Sequence, residues 1–176
     1  MSAKMTETVA YEITGTIGQI ELRKYPRMVL ATVTDTGDDS GFNLLFSYIS
    51  GNNHARTKIP MTAPVITSET IQMTAPVISD EKSMSFVMPE GKGEGDMPIP
   101  LDSRVKITTL PRREIAVIQF KGYASKKDVS SAKVRLLEGL KKAGITGAGV
   151  PVLMRYNAPW TPGFLRRNEV GIEIIR

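Results

Sequence analysis

The chain contains one strand-forming stretch twice: Pro26-Arg-Met-Val-Leu-Ala-Thr-Val33 and, 85 residues further on, Pro111-Arg-Arg-Glu-Ile-Ala-Val-Ile118. Proline, arginine and alanine coincide when the two stretches are overlaid, and the same shift superimposes the two segments that have a helical pattern. Each half then consists of two strands, a helix and a strand or hairpin, which is too little to enclose a core alone. We therefore expect one α+β domain in which two pseudo-symmetric halves share a sheet.

Two segments have apolar residues at the spacing of an amphipathic helix. The first begins after the capping candidates at 38–40 and ends before Gly51. Its apolar face is Phe42, Leu45, Phe46 and Ile49. The second begins at Ser125, which opens a pattern like a capping box with Asp128, and Gly144 is placed to end it. Its stripe is Val129, Ala132, Leu136, Leu137 and Leu140.

Most of the remaining chain has the composition and alternation of β-strands. The predicted strands are 13–22, 28–34, 58–66, 71–78, 84–88, 105–110, 114–120, 152–156 and 170–175. Between the halves, residues 89–100 are rich in glycine, proline and charge and have no apolar period, which predicts a mobile loop or linker. We expect a single domain over 1–176, with halves at about 11–88 and 103–176.

Composition removes several classes of function. The chain has 176 residues, 41% of them apolar, and a net charge of +5; it has no cysteine and one histidine, His54. Disulfides, thiolate nucleophiles, cysteine-based metal sites and multi-histidine metal cages are therefore excluded. The N-terminus has no secretory pattern and no apolar run is long enough to span a bilayer, so we expect a cytoplasmic protein.

The basic residues are scattered in short pairs and do not alternate with aromatic residues. A nucleic-acid footprint usually concentrates positive charge on one face, with aromatic residues as stacking surfaces. We therefore expect no nucleic-acid partner. The chain is expected to be a monomer.

A five-residue string also occurs twice, as Met61-Thr-Ala-Pro-Val65 and Met73-Thr-Ala-Pro-Val77. In an extended strand the methionine, alanine and valine of each copy share one face. The prolines lack a ladder donor, so each copy is predicted to be an edge strand, a bulged strand or a strand end, and the pair to form an irregular hairpin. Methionine suits either an adaptable cavity for a flat apolar ligand or a gap in the core.

A second distinctive stretch runs from 155 to 170 and contains the single tryptophan, Trp160, with Phe164 and three arginines. Such a loop would be able to roof a pocket, because aromatic rings offer stacking surface and an arginine fork grips carboxylates. In the alternative interpretation Trp160 plugs the open end of the sheet while an arginine pairs with Glu169.

Several motifs together resemble the SOUL heme-binding protein family. They are Tyr11-Glu12, Glu21-Leu-Arg-Lys-Tyr25, the helix ending Tyr48-Ile-Ser-Gly-Asn52, Lys58-Ile-Pro-Met-Thr-Ala-Pro-Val65, Tyr156-Asn-Ala-Pro-Trp160 and Arg166-Arg-Asn-Glu-Val170. The resemblance covers nearly the whole chain. It implies a distorted antiparallel β-barrel of two similar halves with two flanking α-helices, and noncovalent binding of heme or another tetrapyrrole for buffering, transport or sensing.

The chain departs from that family at one position. Where an axial histidine is assigned in the family, just before the tyrosine of the Glu-x-Arg-x-Tyr stretch, this chain has Lys24. His54 does not align with that position, so apolar contact and arginine–propionate pairing would have to provide the affinity, without an axial protein ligand. We expect no catalytic or metal-binding residues. The expected ligand-binding residues are Phe46, Met61, Ala63, Val65, Met73, Tyr156, Trp160, Arg166 and Arg167.

Two other classes of function stay open at this point. One is a protein-interaction or regulatory module with no cofactor, whose Met-Thr-Ala-Pro-Val strings pack internally. The other is a hydrolase or isomerase that acts on a small molecule through carboxylates or a tyrosine. The candidates for that chemistry are Glu12, Glu21, Glu169 and Tyr156.

Overall fold

A computed structural model describes residues 7–55, 68–158 and 160–176. Within these ranges the chain forms two α-helices, α1 (Asp38–Ile49) and α2 (Lys126–Lys142). The strands are β1 (Glu7–Thr8), β2 (Glu12–Ile17), β3 (Ile20–Tyr25), β4 (Met28–Thr34), β5 (Asn53–His54), β6 (Thr74–Ser79), β7 (Ser83–Val87), β8 (Ile99–Pro100), β9 (Lys106–Leu110), β10 (Arg113–Phe120), β11 (Thr146–Arg155) and β12 (Asn168–Ile175).

The strands form one large antiparallel sheet in the order β2-β3-β10-β12-β11-β6-β7-β4-β9, so the protein is of the α+β class. Strand β1 pairs with β6 in parallel, and β5 pairs with β8 apart from the main sheet. Strands β2 and β9 stand at the two ends of the path, and among the described residues no pairing joins them. The closed barrel that the family resemblance implies therefore stays a prediction.

The two similar stretches have matching neighbours in the sheet. Met28 of β4 lies opposite Leu110 of β9, and Arg113 of β10 lies opposite Tyr25 of β3, which is the same pairing moved by the offset of the repeat. Strand β3 leads into β4 along the chain but pairs with β10, while β9 leads into β10 but pairs with β4. In each half, the strand that precedes the repeated stretch thus pairs with the repeated strand of the other half.

Alternation along these strands separates the apolar core into three clusters. Ala31 of β4 packs under α1, and Ala116 of β10 packs under α2. Their neighbours Leu30 and Ile115 point to the opposite face and join a third cluster, which both halves build together. The helices therefore cover one face of the sheet, and the third cluster lies on the other face, here called the inner face.

Helix α2 forms as its local signals predict. The Ser125 side chain accepts a hydrogen bond from the Asp128 backbone N–H (3.2 Å), and Gly144, with φ of 71°, follows the last turn. Ala132, Leu136 and Leu140 are buried against the sheet.

Helix α1 is present at the predicted place but buries a somewhat different face. Its N-cap is Gly37, which forms no side-chain cap, and Leu45 and Ile49 are buried as expected. Phe46 is 49% exposed, whereas Tyr48, which lies off the predicted stripe, is buried. The Tyr48 hydroxyl donates to the Pro98 carbonyl at 2.7 Å, so a contact from a distant segment determines which side chain faces inward.

Two sequence predictions are wrong in detail. The predicted strand 13–22 is a hairpin of β2 and β3, because Gly18 takes the left-handed conformation (φ 58°) that a tight turn requires. The predicted mobile linker at 89–100 is an ordered segment with a short 3₁₀ turn at Glu94–Asp96. The Asp96 carboxylate accepts from the Gly93 N–H at 2.9 Å, and the Met97 side chain is buried beneath α1.

The second Met-Thr-Ala-Pro-Val string enters β6, where the register shifts between Thr74 and Val77 around Pro76. This confirms the bulged strand that the proline predicts. The first string lies outside the described residues, so the predicted hairpin of the two stays a prediction. No helix in the described ranges has the length and apolarity needed to cross a membrane.

Candidate functional site

A groove of about 910 Å³ opens where three neighbouring strands of the sheet end. Strand β3 ends there at Tyr25, β10 begins there at Arg113, and β12 ends there at Ile175. The groove is lined by residues 10–12, 24–26, 112–114 and 173–176, together with Glu90. Its volume is within the range of about 300–1,000 Å³ that is usual for small-molecule sites.

The lining combines aromatic, aliphatic and charged groups. The rings of Tyr11 and Tyr25 lie 5.3 Å apart between centroids and are tilted by 39°. Ile175, which is exposed, adds aliphatic surface from the end of β12. The cationic side chains at the groove are Lys24, Arg112, Arg113 and Arg176, and the acidic ones are Glu12, Glu90, Glu114 and Glu173.

Arg113 is a half-buried cation in the lining of the groove. Its Nε atom is buried and meets no hydrogen-bond partner among the described residues. Burial lowers the pKa of Arg113 below its ordinary value, although Glu173 and Tyr25 act in the opposite direction. Arg113 therefore contributes a guanidinium to the lining of the groove, with Glu173 of the same lining as its nearest countercharge.

Behind the groove, on the inner face, lies a buried cluster centred on Glu169. Arg23 donates from Nη1 to Glu169 Oε1 at 2.9 Å and from Nη2 to Glu169 Oε2 at 2.6 Å. The two residues are 1% and 0% exposed. Arg23 also donates to Glu21 (2.7 Å) and to the Tyr25 hydroxyl (3.0 Å), so its guanidinium is fully engaged.

A second arginine joins this cluster and connects it to the groove. Arg167 donates to Glu169 Oε2 at 3.2 Å and to the Tyr11 hydroxyl at 2.8 Å. Its guanidinium carbon lies 4.1 Å from the centroid of the Tyr156 ring, and that of Arg23 lies 4.0 Å from the centroid of the Tyr11 ring. Tyr11 therefore has one surface on the groove and the other on the cluster.

The cluster fixes the ionisation of its members. Burial alone would raise the pKa of Glu169, but hydrogen bonds and positive charge from Arg23 and Arg167 outweigh it and lower that pKa. Burial raises the pKa of Tyr156 strongly, and neighbouring Tyr25 and Glu169 raise it further. Around neutral pH, Glu169 is a carboxylate paired with two arginines, and Tyr156 is a neutral phenol.

A smaller cavity of about 300 Å³ adjoins the groove at Ala10, Pro26 and Glu90. Thr74 lines it, and the buried Thr74 hydroxyl has no hydrogen-bond partner in the part of the chain that the structure describes. This volume is at the lower end of the range for small-molecule sites. The groove is therefore the better candidate for a large planar ligand.

The sequence-predicted ligand residues do not meet at one place. Tyr156 and Arg167 belong to the cluster behind the groove. Phe46 is on α1, and Met73 packs against the core cluster under that helix. The three residues Met61, Ala63 and Val65 lie outside the described residues.

Trp160 and Arg166 lie in the loop before β12, and they line neither cavity. Arg166 Nε donates to the Thr161 carbonyl at 2.7 Å. Trp160 is 86% exposed, so the interpretation in which it plugs the sheet is wrong. The accompanying interpretation, that an arginine pairs with Glu169, is confirmed by Arg167 and by Arg23.

The position at which the family resemblance implies an axial histidine lies at the groove. Lys24, at the end of β3, is exposed and lines it. His54 lies in β5 opposite Ile99 and does not line the groove. Among the described residues no group of three or more histidine, aspartate or glutamate side chains is placed to hold a metal ion.

Sequence reasoning missed Tyr11, Arg23 and Arg113 as site residues. A usable signal was present for both arginines, because strand alternation assigns them to the same face as the apolar Tyr25 and Ile115. A charged side chain on such a face needs a partner or a ligand. The structure gives the partner to Arg23, and in the described part of the chain it gives none to Arg113 Nε.

The chain resembles several solved structures in fold. A protein described as a hydrolase from Listeria innocua aligns with a TM-score of 0.56 at 13% identity, covering 92% of this chain and 94% of that chain. The C-terminal domain of EcmrR aligns with a TM-score of 0.54 at 15% identity, covering 90% and 98%. At such low identity these likenesses show the fold alone.

The comparison by sequence is more specific. Heme-binding protein 2 of Homo sapiens is 30% identical over 162 residues, which cover 88% of this chain and 78% of that protein. The family model described as "SOUL heme-binding protein" matches residues 6–173. The chain therefore belongs to the SOUL heme-binding protein family.

Proposed function

We propose that this protein binds heme or a related tetrapyrrole noncovalently in the groove at the ends of β3, β10 and β12. The observation that carries the proposal is the groove itself, whose lining places the guanidinium groups of Arg112 and Arg113 beside Tyr11 and Tyr25. Membership in a heme-binding family supports the class of ligand.

The groove has the features that a tetrapyrrole with carboxylate side chains requires. Its volume of about 910 Å³ is in the range for a large ligand, and Tyr11 and the exposed Ile175 offer apolar surface. Arg113 would receive one carboxylate, and Arg112 at the rim a second. A bound heme would supply iron, but no histidine lines the groove, so burial and arginine pairing carry the affinity.

The role that fits this arrangement is buffering, transport or sensing of the ligand, without catalysis by the protein. Glu169 is the most buried of the candidate catalytic carboxylates, and both its oxygens accept hydrogen bonds from arginines. A substrate in the groove would not reach them. Glu21 is paired with Arg23, and this also supports a structural role for the cluster.

The two halves of the sheet are also part of the proposal. We infer that they are related by a pseudo-twofold axis and that the sheet curves towards a distorted barrel around the inner-face cluster. The matched registers of Met28 with Leu110 and of Arg113 with Tyr25 support the symmetry. The cluster that both halves line supports the curvature.

A second location for the ligand remains as a proposal. It would use Phe46 on α1 and Met73, which packs against the core cluster under that helix, together with the sequence-predicted Met61, Ala63, Val65, Trp160 and Arg166. The exposed fraction of Phe46 supports an open apolar surface there. The two locations are separable, because the structure assigns none of these described residues to the lining of the groove.

Titration with hemin, followed by the Soret absorption, tests the function and its location together. We expect saturable binding, weakened about 10- to 100-fold in Arg113→Gln, which corresponds to the loss of a charge-assisted hydrogen bond. Phe46→Ser and Trp160→Ser should bind as the wild type does. Arg135→Gln, an exposed change on α2, is matched in charge and controls for general basicity.

Each outcome of the titration decides something. A loss of affinity confined to Phe46→Ser would move the site to α1. Binding no tighter than that of an unrelated basic protein would contradict the function. In that case the alternative of an interaction module without a cofactor would be favoured.

A further inference from the structure

Four large apolar side chains stand out from the surface on two adjacent loops. Trp160 is 86% exposed, Phe164 72%, Tyr123 67% and Leu165 59%. We call these four residues the aromatic patch. A contiguous apolar group of this kind marks an interaction site more often than single exposed residues do.

The patch has a defined geometry, because its two loops are joined by hydrogen bonds. The Gly122 N–H donates to the Gly163 carbonyl at 3.0 Å, and the Asn168 side chain donates to the Gly122 carbonyl at 2.8 Å. Gly163 lies so close to the Tyr123 ring that a Cβ there would approach the ring to 2.6 Å. The guanidinium of Arg166 covers the same ring at 4.6 Å from its centroid.

The charge around the aromatic patch is predominantly positive, with Asp128 near Gly122 as an acidic neighbour. Residues 121–127 and 155–167, the two segments that carry the patch, contain three lysines and three arginines and no acidic residue. Arg167 is directed inward to Glu169. Lys121, Lys126 and Lys127 are exposed beside Tyr123 and provide a positive surface.

The shape of the patch distinguishes between partners. None of its four residues lines either of the cavities described above, so the side chains protrude and do not enclose a groove. A peptide is usually held in a groove or along a strand edge. Protruding tryptophan, phenylalanine and leucine with flanking lysines match the boundary between lipid headgroups and acyl chains.

We propose that this protein binds the surface of an anionic lipid bilayer through the aromatic patch, with Trp160 and Phe164 inserted at the headgroup level. Lys121, Lys126 and Lys127 contact the lipid phosphates and carboxylates. This is peripheral binding through loops, and it is independent of the proposed tetrapyrrole groove, which lies at the ends of β3, β10 and β12.

The single tryptophan of the chain makes the test direct. Wild-type protein is mixed with vesicles of phosphatidylcholine alone, or of phosphatidylcholine with an equal amount of phosphatidylserine. We expect the Trp160 emission to shift to shorter wavelength, and the protein to sediment, with the anionic vesicles only. Trp160→Ser/Phe164→Ser should weaken sedimentation about tenfold or more. Val150→Ser, at an exposed apolar residue outside the aromatic patch, should not weaken it.

The charge contribution has a matched control within one helix. Lys126→Gln/Lys127→Gln removes two exposed charges at the start of α2 and should weaken binding by about fivefold for each charge. Lys141→Gln/Lys142→Gln removes the same charge at the other end of α2 and should leave binding unchanged. All of these positions are exposed, and far-ultraviolet circular dichroism checks that each variant is folded.

Three results would overturn the proposal. One is an unshifted Trp160 emission with anionic vesicles. Another is an equal loss of binding in the two lysine pairs, which would show attraction by net charge alone. The third is displacement from vesicles by a soluble acidic peptide that itself shifts the Trp160 emission, which would assign the patch to a protein partner.

Discussion

Arg23 and Arg113 lie on adjacent strands at the inner face of one sheet, yet their surroundings differ. Arg23 has five hydrogen-bond or ion-pair contacts to Glu21, Tyr25 and Glu169. The buried Nε of Arg113 has none among the described residues. The same residue type thus serves structure where its partners come from the chain, whereas Arg113 is the arginine that the proposed function assigns to the ligand.

The energetic reason is desolvation. Removing a guanidinium from water is costly, and an ion pair repays that cost only with good geometry and satisfied donors. Glu169 gives Arg23 this compensation through two short parallel bonds. Arg113 is half-buried and depends on Glu173 and Tyr25 for partial compensation, so a bound carboxylate has more to contribute there.

The largest effect on the free energy of unfolding is expected from breaking the pair of Arg23 and Glu169. Arg23→Met leaves Glu169 buried with Arg167 as its remaining cation, and the free energy of unfolding should fall by about 3–5 kcal/mol. Urea denaturation followed by circular dichroism measures this. Arg23→Met/Glu169→Leu should recover most of the loss, because neither buried charge then remains; a double variant as unstable as the single one would contradict this account.

The same pair predicts the response to acid. The folded protein lowers the pKa of Glu169, so the carboxylate stabilises the fold above the ordinary pKa of glutamate, and this contribution is lost as the pH falls towards the folded pKa. Glu169→Gln should therefore flatten the dependence of the unfolding free energy on pH in the acid range. Glu138→Gln, the same substitution at an exposed carboxyl on α2, is the comparison; an equal flattening there would refute a special role for Glu169.

A smaller effect is expected at Tyr11, which contacts both the groove and the cluster centred on Glu169. Tyr11→Phe removes the acceptor for Arg167 but keeps the ring against Arg23 and the groove. The free energy of unfolding should fall by about 0.5–1.5 kcal/mol, and hemin affinity should change little. Denaturation and Soret titration of one preparation measure both; a large loss of affinity would show that the hydroxyl itself contacts the ligand.

The smallest change in the free energy of unfolding is expected at Arg113, where the substitution should leave the protein as stable as the wild type or more stable. Arg113→Met removes a half-buried charge whose Nε has no partner in the ranges that the structure describes, so the free energy of unfolding should stay within about 0.5 kcal/mol of the wild type or rise. The comparison with Arg23→Met uses the same substitution in the same sheet. A loss as large as that of Arg23→Met would mean that Arg113 has a structural role.

What the sequence predicts correctly is local. The start of α2 depends on Ser125 and the Asp128 N–H three residues later, and its end on Gly144, so a short window contains the whole signal. The strand at Met28–Thr34 alternates between two buried faces and is predicted with its exact bounds. The bulge at Pro76 follows from the missing N–H of proline.

What the sequence does not predict depends on distant contacts. Tyr48 is buried because Pro98 supplies an acceptor fifty positions along the chain. Glu169 takes its main partner from Arg23, which is 146 residues away. The groove itself is formed by segments that the chain order separates, so neither spacing nor composition indicates that Arg113 meets Tyr11 there.

The pairing of β3 with β10 and of β9 with β4 across the two halves has a consequence for how the chain folds. Strand β3 finds its partner β10 only after most of the chain is present, and β9 returns to β4 across the same distance. Such non-local pairing has high contact order and slows folding. Neither half holds a complete four-stranded unit of its own, so two fragments cut within 89–100 should fold only when mixed, as a reconstituted pair.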